Sequence, residues 1–175
     1  MLSEKMTEAL NKQINKEIYS AYLYLSMSAY STYTGLHGFA NWFRVQYQEE
    51  MTHAMLIYDY VHDHGAKVRL MAIPQPPTEF GSAIEIFEKT LEHEKFVTKS
   101  INDLVGLAIN EKDHATQIFL QWFVTEQIEE EANDNEIISK LKLAGNEGKG
   151  LFMIDKELAG RVFKPPATSE NCETQ

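Results

Sequence analysis

The stretch that most restricts the fold of this chain is 37–64. Phe39, Phe43, Gln46, Glu50, His53, Ile57 and Tyr60 follow one another at steps of 4, 3, 4, 3, 4 and 3. That is the spacing of one inward helical face in a bundle. Through its middle runs Gln48-Glu49-Glu50-Met51-Thr52-His53. Glu50 and His53 lie three residues apart and share the inward face. A carboxylate and an imidazole on an apolar, aromatic seam cost several kcal/mol to bury without a partner. A metal ion is one partner that accepts both.

The rest of the chain supplies the bundle. Residues 4–33 carry Leu10, Ile14, Glu17, Ala21, Tyr24 and Ser28 on one face, with Ser3 as N-cap and Gly35 as the stop. The second helix, 37–64, closes at Gly65. The link Thr34-Gly35-Leu36 is short, so these two helices are expected to be antiparallel neighbours. Residues 65–81 end in Pro74-Gln75-Pro76-Pro77, which forbids helix there. So long a connection is unusual in a compact domain. It has a use if it runs the length of a helix of ~40 Å, since extended chain of that length reaches ~56 Å. The third helix, 82–109, is then expected to run parallel to the second. Ser82 and Glu85 form a capping-box pattern at its start. Its inward face is Ile84, Phe87, Leu91, Glu94, Thr98, Ile101, Val105 and Ala108, and a tight turn is expected from Asn110 to Asp113. The fourth helix, 114–143, turns Phe123, Gln127, Glu130, Asp134, Ile137 and Leu141 inward. A short fifth helix is expected at about 151–160, with Leu151, Ile154 and Leu158 on one face. It is too short to stand alone and needs a docking surface. Residues 1–163 therefore read as one all-α domain, a four-helix bundle with a long crossover between helices 2 and 3. Residues 164–175 read as a disordered polar tail.

The inward polar groups share one depth. Glu17, Glu50 with His53, Glu94, and Gln127 with Glu130 each fall within about three residues of their helix midpoints, near 18, 50, 95 and 128. Midpoints coincide in space whichever way each helix runs. Four carboxylates, one imidazole and one amide thus converge on one level. Like charges at that density repel strongly and protonate or require cations. Glu50 could bridge two ions, with Glu17 and His53 completing one position and Glu94 with Glu130 or Gln127 the other. A set rich in oxygen suits iron or manganese better than structural zinc. Alone, the Glu-x-x-His pattern is equally well read as a buried pair or a solvated face. The coincidence of four helices is what carries the metal reading.

Net charge is −10, which argues against phosphate-backbone binding and is compatible with attracting cations. The single cysteine, Cys172, excludes a disulfide framework and points to a reducing, cytoplasmic setting. No run approaches a membrane span, and the N-terminus shows no signal-peptide pattern. The absence of Cys-x-x-Cys disfavours an electron-transfer module of the rubredoxin kind.

Other groups keep two readings. Tyr24 either packs in the core or hydrogen-bonds a ligand, the second being preferred. Trp122 reads as core and Met51 as surface or interface. His37, His62, His64, His93 and His114 show no second Glu-x-x-His and read as surface histidines. Glu49, Glu126 and Glu129 form either an exposed acidic face or a third, looser ion position sharing Glu130.

At these residues the chain resembles the ferritins, above all the bacterial non-haem ferritins, over essentially its whole length to about residue 163. The resemblance is carried by Gln13-Ile14-Asn15-Lys16-Glu17, Glu49-Glu50-Met51-Thr52-His53, Gln121-Trp122-Phe123, the run Glu126 to Glu131, and Gly150 to Leu158. It implies a ferritin-like bundle assembled as a homo-oligomeric, hollow 24-subunit shell. It implies that Glu17, Glu50 and His53 hold a first iron, and that Glu50, Glu94 and Glu130 hold a second with Gln127 close by. Tyr24 matches the tyrosine beside that centre, and Glu49, Glu126, Glu129 and Glu130 match a third iron site. The implied activity is ferroxidation, with Fe(II) oxidised by dioxygen or hydrogen peroxide and ferric oxo-hydroxide stored inside. Haem is not expected, although Met51 follows Glu50 as the haem methionine of bacterioferritins does. Those proteins carry a second Glu-x-x-His on the fourth helix, where this chain has Gln127 and Glu130. Gln117 and Leu120 stand where animal heavy chains carry acids at their threefold pores, which leaves the iron entry route open.

Overall fold

The computed structural model describes residues 1–145 and 148–165. They form five helices: α1 Glu4–Tyr33, α2 His37–Asp63, α3 Ala83–Glu111, α4 His114–Ala144 and α5 Gly148–Leu158. The boundaries follow local chemistry. Ser3 Oγ accepts from the Met6 amide, and Asp113 caps α4 by accepting from Thr116 N. Ser82 and Glu85 cap one another reciprocally at the start of α3. Two expectations shift. α3 continues through Glu111, and Lys112 takes the turn at φ 58, so the tight turn is shorter than the stretch from Asn110. α5 begins at Gly148 rather than 151 and ends at Leu158 rather than 160. The expected tail is described only at Lys164 and Pro165. Residues 166–175, Cys172 included, lie outside the described residues.

Long-range hydrogen bonds give the helix directions. Ser3 Oγ donates to Glu111 Oε2 (2.6 Å) and Tyr30 OH donates to the Gly81 carbonyl (2.7 Å). The start of α1 therefore lies at the end of α3, and the two are antiparallel. Since α1 and α2 are joined by a short turn, α2 and α3 run parallel, as the long connection requires. That connection lies along α1. Arg69 N donates to Asn11 Oδ1 (2.7 Å) near one end, and Ser26 Oγ donates to the Pro77 carbonyl (2.6 Å) near the other. The hydroxyls of Tyr60 and Thr116 meet at 3.0 Å, setting the start of α4 beside the end of α2.

The docking surface needed by α5 is the start of α2. Leu36, the residue before α2, gives no side-chain cap. Asp155 of α5 takes that role, its Oδ1 accepting from Gly38 N (2.7 Å) and Phe39 N (3.1 Å). The approach is so close that a Cβ on Gly38 would lie 1.6 Å from the Asp155 carbonyl oxygen. Only glycine permits this packing.

The buried apolar side chains form two clusters. One holds Met27, Phe39, Phe43, Phe87, Ile138 and Ile154; the other holds Met6, Leu10, Ile57, Ile101, Leu120 and Phe123. Between them, at mid-bundle, sit the buried Glu17, Glu50, His53, Glu94, Gln127 and Glu130. Among the described residues, no helix is long and apolar enough to cross a membrane.

Candidate metal centre

Each of the four long helices contributes to the polar level. Glu17, Glu50 and His53 come together: one ligand atom from each lies within 4.8 Å of the others. All three are buried. The Glu17 carboxylate is oriented by Gln13, whose Nε2 donates to Oε1 (2.7 Å). Glu17 Oε2 and both oxygens of Glu50 have no hydrogen-bond partner among the described residues. His53 Nδ1 is 3.5 Å from Glu50 Oε2. The His53 ring is packed edge-on against Trp122 at 5.3 Å and Phe123 at 6.0 Å, which fixes its plane. Trp122 is therefore half-buried packing beside a site residue.

The second half of the level is built differently. Tyr24 OH donates to Glu94 Oε1, and Gln127 Nε2 donates to Glu94 Oε2 (3.0 Å). Gln127 Nε2 also reaches the Glu94 carbonyl and Thr98 Oγ1, each at 3.2 Å. The amide thus presents its nitrogen, not its oxygen, to the neighbouring carboxylate. Tyr24 takes the hydrogen-bonding role preferred above. Glu130 accepts from Gln46 Nε2 (3.0 Å).

The electrostatics match this crowding. Burial, then the charges of Glu94 and Glu17, push Glu50 well above the usual carboxylate range. Burial and the charge of Glu130 raise Glu94 to about 8. Burial lowers His53 and keeps its imidazole neutral, the form that ligates metal. Burial, then Glu94 and Glu50, hold Tyr24 well above its ordinary value. Without cations this level keeps protons, and with cations the same charges become ligands.

Glu49, Glu126 and Glu129 do not belong to the buried set. With Glu130 and His53 they line an adjoining pocket of about 330 Å³. Glu49 and Glu126 are partly buried and Glu129 is exposed, and all three face this pocket. Burial raises Glu49 to about 7, Arg161 opposing and Glu130 and Glu126 adding to it.

One histidine departs from expectation. His93 is largely enclosed, bonded to Ser20 Oγ at 2.8 Å and edge-on to Tyr24, and burial lowers it to about 4. Besides Gln13, which orients Glu17, three further participants stood outside the candidate set. Gln46 and Asp134 lay on their helices' inward faces, and that was their signal. Asp134 is fully buried, and neither carboxylate oxygen has a hydrogen-bond partner among the described residues. Burial, then Glu94 and Glu130, raise it to about 9. Arg161 lies beyond α5 and carried no periodic signal.

The comparisons decide the family. The model of the ferritin-like domain matches residues 7–144. The chain belongs to the ferritin family. It is 45% identical over 159 residues to the bacterial non-heme ferritin of Escherichia coli O6:H1, covering 91% of this chain and 96% of that protein. It is 46% identical over 161 residues to that of Bacteroides fragilis strain 638R, covering 92% and 100%. Among solved structures, an Archaeoglobus fulgidus ferritin engineered to a closed form superposes with a TM-score of 0.92 at 54% identity, covering 94% of this chain and 100% of that one. An open-pore ferritin of the same archaeon gives 0.91, also at 54% identity, covering 93% and 100%. In this ferritin the level between the apolar clusters is the candidate metal centre.

Proposed function

We propose that this ferritin is a cytoplasmic iron-storage protein that oxidises Fe(II) at a di-iron centre inside each subunit. The observation that carries the reading is the cluster of Glu17, Glu50 and His53, with three carboxylate oxygens that have no partner among the described residues. A buried, unpartnered carboxylate pair beside a neutral imidazole is costly unless a cation completes it. Fe(II) is the substrate. Glu17, His53 and Glu50 take one ion, and Glu50, Glu94 and Glu130 take the second. Gln127 and Tyr24 orient Glu94. Two ferrous ions each release one electron, and dioxygen with two protons becomes hydrogen peroxide; alternatively, peroxide is the acceptor. The carboxylates favour the more highly charged ferric product, and holding two ions together provides proximity.

The storage half of the proposal is a homo-oligomeric shell of 24 subunits. Its support is membership of the ferritin family and the apolar side chains left exposed. Tyr22 and Leu25 on α1, Leu70 and Met71 on the crossover, and Phe152 and Met153 on α5 all face outward. So much apolar surface reads as contact between subunits. A third ion occupies the pocket formed by Glu49, Glu126, Glu129 and Glu130. The proposal includes no role for haem, nucleic acid or membrane.

The test is rapid mixing of iron-free protein with a few ferrous ions per subunit, following absorbance and oxygen uptake. A fast saturable phase, lost in Glu50→Ala, is expected. Its absence from the wild type would leave a passive shell in which these substitutions change nothing.

A further inference from the structure

The acidic pocket beside the centre already contains a cation belonging to the protein. Arg161 Nη2 donates to Glu49 Oε2 at 2.6 Å, and both side chains are only 21% exposed. The guanidinium lies over the Trp42 ring at 4.4 Å from its centroid. Its backbone is fixed to α2, because Asn41 Nδ2 donates to the carbonyls of Leu158 (3.3 Å), Ala159 (3.3 Å) and Arg161 (2.9 Å). Asp155 fastens α5 to the start of the same helix. The side chain is thus a charged arm on an anchored base, laid into a pocket of about 330 Å³ that also contains Glu126, Glu129 and Glu130.

We propose that Arg161 is the resident counter-ion of Glu49, and that a third metal ion enters this pocket only by displacing its guanidinium. The inference rests on the reading of Glu49, Glu126 and Glu129 as an ion position and says what regulates that position. A carboxylate oxygen engaged by a guanidinium N–H is not free to ligate, and the arm's charge repels an incoming cation until it moves. Asp134, fully buried with no hydrogen-bond partner for either carboxylate oxygen among the described residues, also feels the charge of Arg161. A third ion is therefore weakly held and readily released. Glu17, Glu50 and Glu94 do not line this pocket, so the two buried ions are expected to feel the competition less.

The test is calorimetric titration of the assembled, iron-free protein with Zn(II), which binds without redox chemistry. Wild type is expected to take two tight ions per subunit and a third, weaker one that Glu126→Gln abolishes. In Arg161→Gln the third ion binds at least ~10-fold more tightly, a difference of about 1.4 kcal/mol, and the two tight ions are unchanged. Arg161→Lys, which keeps the charge but loses the fork and the stacking, falls between. If Arg161 merely secures the segment after α5, the third-ion affinity stays at the wild-type value in Arg161→Gln, and that result overturns the proposal. Should Arg161→Gln fail to assemble, Arg161→Lys decides, and wild-type third-ion affinity there overturns it. A normal third ion in wild type with no Arg161 effect leaves the pocket reading standing and removes only the competition. No third ion in any variant overturns both.

Discussion

The two halves of the buried level are both built around glutamates and solve opposite problems. On the Glu17–Glu50–His53 side, three carboxylate oxygens have no hydrogen-bond partner among the described residues, and the imidazole is neutral and fixed by aromatic neighbours. On the Glu94 side, one carboxylate oxygen accepts from Tyr24 and the other from Gln127. The first half is pre-organised for a cation and strained without one. The second satisfies itself and must give up hydrogen bonds to receive an ion. The difference teaches that the two positions are not equivalent. On the proposed di-iron reading, the first ion is expected at the unpaired side, and the second has to displace hydrogen bonds.

The largest expected effect is that of Glu50→Ala, which removes the group shared by both halves. The fast oxidation phase falls by ~100-fold or more, measured by stopped-flow absorbance. A variant that keeps half of the wild-type rate would show that the halves work without a common ligand.

Next in size is the response of the metal-free protein to pH. Glu94 is raised to about 8 and Asp134 to about 9. Between the unfolded and folded pKa the native state holds the extra proton, so stability is fully present below the unfolded value and is lost as pH rises through the folded one. His93, lowered to about 4, acts in the opposite sense as pH falls below 6.5, so the alkaline decline is clearest above that pH. Melting of metal-free protein should show a loss on the order of several kcal/mol from pH 6.5 to 9, which saturating Zn(II) reverses. A flat profile would mean that the level carries no excess protons.

Smaller again is Tyr24→Phe. It frees Glu94 Oε1 without touching the unpaired side. The first-ion affinity stays within about twofold, while the oxidation rate drops by ~10-fold, as for loss of a group that orients a ligand. Equal weakening of both ions, by calorimetry, would erase the distinction between the halves. The smallest expected effect on metal is that of Asp134→Asn. Ion binding is unchanged and the alkaline loss of stability in metal-free protein between pH 6.5 and 9 is reduced by roughly 3 kcal/mol. A large change in two-ion stoichiometry would make Asp134 a ligand.

Much of this was legible in advance because helices impose a period. Glu17, Glu50, His53, Glu94, Gln127 and Glu130 could be placed at one depth from spacing alone, and the structure brings them to one level. The same period marked Gln46 and Asp134 as inward, yet it could not say that Gln46 would pair with Glu130 while Asp134 would have no hydrogen-bond partner among the described residues. Spacing tells which face a residue occupies; partners depend on how adjacent helices are rotated and shifted. His93 went astray for the same reason. It sits off the seam of α3, but Ser20 and Tyr24 of α1 close over it.

By itself the sequence determined the four long helices, their short and long connections, and the depth of the acidic level, since each follows from local period and chain reach. Only the tertiary structure decided what those acids meet. It turned the nitrogen of Gln127 toward Glu94 and set Asp155 at the start of α2 as a cap supplied from another helix. It laid Arg161 across Glu49, a residue far away in the chain. Contacts of that kind depend on side chains from distant segments filling one space at close-packed density, and no local pattern encodes them.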